Sequence, residues 1–259
     1  GSTITRATVL SDMVIVSTAE GIAIRSGALT VRTTDVSAQQ GITAWGAGTN
    51  PLIEGCVVTA AWTGISIEGE GVLRESDVEG GPAVTVRGAV LVEDNLIHAT
   101  SDVGISIWEG SPEILANVIN EDASRVGTCS WGFCSGVDIW GGSPQILNNV
   151  IYGMGGEWSA AVSIVHGELV VERPNIHSNT LYVSRVAGTG ASRSAGVTCT
   201  SFFGLATFGE LRNNIIVGAA NGTSFGYYED DGDPGTTCRP VLLENNLLDV
   251  DHAVRLWTT

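Results

Sequence analysis

Lysine is missing from this sequence: all twelve basic residues are Arg, against 28 acidic ones, for a formal net charge of −16. Nucleic acid is therefore not an expected partner, because a cationic patch must replace phosphate counterions. An anionic lipid surface is disfavoured for the same reason. Charge of either sign is scarce, at 15% of residues, while 43% are hydrophobic. That balance describes a folded core and excludes a disordered chain. No apolar run approaches the roughly 18 residues that a bilayer-spanning helix requires, so membrane insertion is not expected. Proline is also sparse, with 7 residues, and no Pro- or Ser-rich linker or charge block divides the chain. No signal-peptide pattern is present; Gly1-Ser2 reads as a cloning remnant. Residues 3–259 read as a single domain, expected to be cut from a longer protein. What is abundant is Gly, with 34 residues, beside many Val and Ile. This composition points to short strands joined by tight turns.

Self-similarity is the main signal. Residues 104–119 (GISIWEGSPEILANVI) and 136–151 (GVDIWGGSPQILNNVI) match almost letter for letter. The opening half-motif is a small residue followed by apolar-x-apolar. It recurs at Gly21, Gly41, Gly64, Ala83, Gly104, Gly136, Ala161, Gly196, Ser224 and Ala253. The second half-motif is apolar-x-x-polar-x-apolar. Its polar position is Thr34, Cys56, Ser76, Asn95, Asn117, Asn149, Asn179, Asn214 and Asn246, with Asp12 as an earlier member. Apolar residues at period two mark strands with one buried face. A rung of such strands cannot bury that face alone, whereas stacked rungs share one core. The spacing predicts about ten rungs pairing in parallel, a rod roughly 45–50 Å long. In the polar column, six Asn in register predict an Asn ladder, with amides bonding along the stack. Asn also tolerates the left-handed backbone that a sharp bend needs.

The pattern G-[IV]-x-I-x-x-G-S-P-x-I-x-x-N-x-I resembles the repeats of the pectate-lyase-like right-handed parallel β-helix superfamily, over roughly residues 7–257. It looks closest to the repeat-bearing regions of bacterial surface and periplasmic proteins. The resemblance implies an all-β, right-handed parallel β-helix (solenoid). It leaves activity open, because that superfamily contains lyases, hydrolases, epimerases, adhesins and spacers. The Gly-His-Gly motif of polygalacturonase-like hydrolases and the Asp-Pro-His-Asp motif of alginate epimerases are both absent.

The five cysteines fit neither zinc spacing nor a Cys-x-x-Cys pair. Cys129 and Cys134 bracket a short insertion that a bridge would pin, and Cys199 and Cys238 form a second candidate pair. Cys56, in the polar column, reads as a buried unpaired thiol. Disulfides imply export, to the cell surface, periplasm or medium; small buried thiols in a reducing compartment are the alternative.

Within the first strand of a rung, the second and fourth positions are expected inward, the third and fifth toward solvent. The fifth position reads Arg25, Trp45, Glu68, Arg87, Trp108, Trp140, Val165, Thr200, Tyr228 and Trp257; the third is mostly Ser, Thr or Ala, with Asp138 the exception. Exposed indoles beside carboxylates and Arg make a candidate sugar-binding strip of Trp45, Arg87, Trp108, Asp138 and Trp140. The competing reading has insertions 120–135 and 152–160, carrying Trp131 and Trp158, fold over these rings. Catalytic candidates are Glu109, Asp138, Glu68 and Arg87, since glycoside hydrolysis needs two carboxylates across one bond. A polyuronate lyase needs a base, for which only Arg is present, and the net charge repels its substrate. Asp230, Asp231 and Asp233 cluster around a turn as a candidate calcium site. The leading expectation is a non-enzymatic, extracytoplasmic adhesion or glycan-recognition module whose partner is a polysaccharide, a surface glycan or another surface protein. A polysaccharide lyase or hydrolase and a rigid spacer are the alternatives.

Overall fold

The period-two alternation becomes strand wherever it occurs. In Val103–Glu109 the side chains of Ile105 and Ile107 are fully buried, while Trp108 points outward and stays 37% exposed. The computed structural model describes residues 8–121, 133–154, 158–166, 173–183, 193–201, 205–218, 223–231 and 237–256. Among the described residues there is no helix.

Each rung supplies three strands, typified by Val103–Glu109, Glu113–Leu115 and Val118–Glu121. Each strand pairs in parallel with its counterpart one rung on, as in Ile105↔Val137, Val137↔Val162 and Val162↔Val197. Among the described residues the third strands form a 10-stranded sheet, one strand per rung, which makes ten rungs. The other two faces join in an 18-stranded sheet, because Ile65–Arg74 and Val84–Glu93 each run through both faces. Inward Ile, Val and Leu from all faces make one continuous core along the axis. Burying each such side chain is worth about 1.5–3 kcal/mol.

Small residues open the repeat for a steric reason. A Cβ at Gly104 would lie 2.5 Å from the Gly136 carbonyl oxygen and 2.6 Å from Ile119 Cγ2. At the next bend Gly142 has φ +83°, and its Cβ would meet the Gly110 nitrogen at 2.7 Å.

The Asn ladder is present from Asn95 to Asn246. Asn117 donates both its backbone N–H and its Nδ2–H to Asn149 Oδ1, at 2.9 and 3.1 Å. Asn149 does the same to Asn179, and Nδ2 also donates to the Ile114 carbonyl at 2.8 Å. Ser76 and Cys56 extend the column, their N–H groups donating to Asn95 Oδ1 and Ser76 Oγ. The left-handed bend, however, belongs to the residue before each ladder position. Asp94, Ala116, Asn148, Ser178, Asn213 and Asn245 have φ between 54° and 58°. A ladder amide must point into the dry interior, so the neighbouring residue makes the turn. Asp12 (φ 55°) belongs to that bend column and not to the ladder; it accepts a hydrogen bond from the Thr33 hydroxyl.

The register departs from expectation in one rung. Val197 pairs with Tyr227, which makes Gly226, not Ser224, the opening residue. Tyr228 therefore lies in the third column, opposite Thr198, and Glu229 turns inward and is fully buried. The bridge Cys199–Cys238 forms, with Cα atoms 5.7 Å apart. Cys134 is also disulfide-bonded, and its expected partner Cys129 lies outside the described residues. Cys56 is buried and free, and burial pushes its thiol pKa up.

Candidate functional site

Because identical rung positions stack, the third position of the first strand forms a column on the outer face: Thr43, Ser66, Thr85, Ser106, Asp138, Ser163 and Thr198. These side chains point away from the core, yet Ser106, Asp138, Ser163 and Thr198 are buried. Their solvent-facing placement, expected from the pattern, is corrected in this respect. Thr85, Ser106, Asp138 and Ser163 form the floor of a recess, a cavity of about 770 Å³. One wall is the fifth column, Trp108, Trp140, Val165 and Thr200; the other comes from Thr63, Gly81, Pro82 and Ser101–Val103. The recess crosses five consecutive rungs, from Thr85 in Val84–Glu93 to Thr200 in Arg193–Ser201. It runs along the rod axis as a groove.

The two indoles stack face to face, with centroids 5.6 Å apart and planes at 12°. Adjacent parallel strands about 4.8 Å apart impose that distance. Asp138 lies at the centre of the floor, between Ser106 and Ser163. It is 6% exposed, and its pKa is pushed up to about 6, chiefly by burial. Side-chain hydrogen bonds from Ser163 and Trp140 oppose that shift, and Oδ1 has no partner. The Trp140 contact ties the orientation of the indole to the carboxylate. Asp102 is the other carboxylate lining the groove.

Of the sequence-predicted residues, the structure gathers Trp108, Asp138 and Trp140 at this groove. Arg87 stands at its margin, outside the lining, with its guanidinium 5.9 Å from the Trp108 ring and 3.5 Å from Glu109 Oε1. Glu109 is therefore an exposed ion-pair partner. Glu68 lies opposite Arg87 and is exposed, and neither acid faces the groove. Trp45 is remote from it and packs under the Arg25 guanidinium at 4.3 Å. Trp158 packs edge-on against Tyr228, 6.1 Å away, and Trp131 lies outside the described residues. The groove residues missed at the sequence level are Asp102, Ser106, Ser163 and Thr200. The signal for two of them was the run of hydroxyl residues flanking Asp138 in one column.

Asp230 and Asp231 close the strand Thr223–Asp231, and Asp233 lies outside the described residues. Glu229, in the same acidic run, faces the core: Oε1 accepts a hydrogen bond from the Cys238 N–H at 2.8 Å. Among the described residues no three His, Cys, Asp or Glu side chains are grouped to hold a metal.

Stacked indoles above a hydroxyl-lined floor offer an apolar platform and a row of hydrogen-bonding groups at the rung spacing. That is the combination a sugar chain requires. No curated protein and no solved structure matches the chain at a significant level. A family model describing a right-handed β-helix region matches residues 2–224. With the ten parallel rungs and their Asn ladder, that match places the chain in the right-handed β-helix family.

Proposed function

We propose that the protein is a non-enzymatic glycan-recognition module that binds an extended polysaccharide along the groove. The observation that carries this reading is the stacked Trp108–Trp140 pair standing over the buried Ser106–Asp138–Ser163 floor. The exposed indole surface receives the apolar face of a sugar ring, and the floor receives its hydroxyls. Sugar units of an extended chain can then meet equivalent groups on successive rungs. Disulfide-bonded Cys199, Cys238 and Cys134 support an exported setting at the cell surface, in the periplasm or in the medium.

The test is a glycan array probed with the wild type and with Trp108→Ala. The variant loses binding, and its melting temperature shifts little, since the removed ring is over one-third exposed. Absence of wild-type binding to every array member overturns the reading.

One observation favours a second reading. A carboxyl buried in the groove with its pKa pushed up to about 6 has the properties of a general acid, and Asp102 also lines the groove, which is therefore a candidate hydrolase site as well. Release of reducing ends from a polysaccharide panel distinguishes it from binding alone. A lyase is less supported, because among the described residues no basic side chain lines the groove.

A further inference from the structure

A buried carboxylate without charge compensation is costly, because desolvation disfavours its ionised form and no neighbour repays the loss. Asp138 is in that position: among the described residues Oδ1 lacks a partner, and the groups bonded to the carboxylate are a neutral hydroxyl and an indole N–H. Among the described residues no Arg or His lines the groove, and Asp102 adds a second acidic group. The chain around it carries a net charge of −16 and draws cations toward its surface.

We propose that the groove selects glycans bearing free amino groups, with 2-amino-2-deoxyhexose units as the recognised class. The sugar ammonium compensates the Asp138 carboxylate while the ring packs on the indole pair. This inference rests on the glycan-binding reading and names its substrate class.

Three competing ligand classes fit less well. A neutral sugar hydroxyl donates a hydrogen bond to Asp138 but leaves its charge uncompensated, whereas an ammonium does both. A polyuronate brings like charge to the buried Asp138 carboxylate. Calcium takes six to eight oxygen ligands, usually several of them carboxylates, and the described residues offer no such group. The indoles add to the preference, since a cation near an indole face is attracted by the ring quadrupole, more strongly once desolvated.

Four probes test this by calorimetry with chelator present: a glucosamine hexamer, its fully N-acetylated counterpart, a galacturonate hexamer and hexalysine. The glucosamine hexamer is expected to bind at least about tenfold more tightly than the acetylated one, a gap of about 1.4 kcal/mol. In Asp138→Asn the two hexamers bind equally, with melting curves confirming that the variant is folded. Galacturonate binds the wild type weakest, and added salt narrows the preference for the amine. Equal wild-type affinity for the glucosamine and acetylated hexamers overturns the amino-sugar inference and leaves glycan binding standing. Hexalysine binding as tightly as the glucosamine hexamer also overturns it, because recognition then belongs to the amine and not the sugar. Failure of every sugar hexamer to bind overturns the amino-sugar inference, and binding to another array member then keeps the glycan reading.

Discussion

Two columns of polar residues run along this rod, and they are satisfied in opposite ways. Inside, Asn95 through Asn246 repeat one residue type, and each amide bonds to the next Asn and to inward carbonyls. Outside, Thr85, Ser106, Ser163 and Thr198 repeat small hydroxyls, but Asp138 interrupts them and keeps an oxygen without a partner. A column of identical self-complementary groups stabilises the stack. A single acid within a hydroxyl column costs stability and is available to a ligand. Between these two columns, burial does not separate scaffold from site, and completeness of hydrogen bonding does.

The comparison is broken most severely at the ladder. Asn149 accepts two hydrogen bonds from Asn117 and donates to Ile114, Leu147 and Asn179. Asn149→Leu strands those partners in a dry interior and is expected to cost about 3–5 kcal/mol by chemical denaturation. A loss below about 1 kcal/mol would reduce the ladder to ordinary turn residues.

The outer column responds in the opposite direction. Folding raises the Asp138 carboxyl from 3.8 to about 6. The stability tied to its protonated form is full below 3.8 and is lost as pH rises through 6. Asp138→Asn is therefore expected to be more stable than wild type at about pH 8, by at most about 3 kcal/mol. The difference shrinks toward zero as pH falls below the unfolded pKa. Thermal melts across the pH range check this; a destabilised variant at alkaline pH would show that the carboxylate is satisfied after all. Ser163→Ala, which removes one donor to the carboxylate, moves its titration further upward, observable by NMR. The smallest effect belongs to Arg25→Ala. Its cation–π contact with Trp45 is exposed and worth about 0.5–1 kcal/mol, and glycan binding is unchanged because Trp45 is outside the groove.

The fold was legible because a solenoid writes its geometry as periodicity. Repeat spacing located the strands, and Asn117, Asn149 and Asn179 in register announced a buried column. Position in the repeat also placed Trp108 beside Trp140, and the parallel strands stack them. Two things were hidden. Alternation shows which side of a strand a residue takes, but not whether the outer side is recessed, so Asp138 read as solvent-facing. Contributions from turns, such as Pro82 and Asp102, come from segments outside the repeat pattern and have no periodic signature. The shift at Ser224–Gly226 was missed because Ser224 is also small and is followed by Phe225-Gly-Tyr227, which imitates the opening motif. It moved Tyr228 from the fifth column to the third.

The most direct measurement is the titration of the Asp138 side-chain carboxyl by carbon NMR, free and with the glucosamine hexamer bound. The midpoint is expected near 6 in the free protein and lower in the complex, where an ammonium favours the ionised form. A midpoint in the ordinary carboxylate range that the hexamer leaves in place would contradict the assignment of Asp138 as the groove's uncompensated charge.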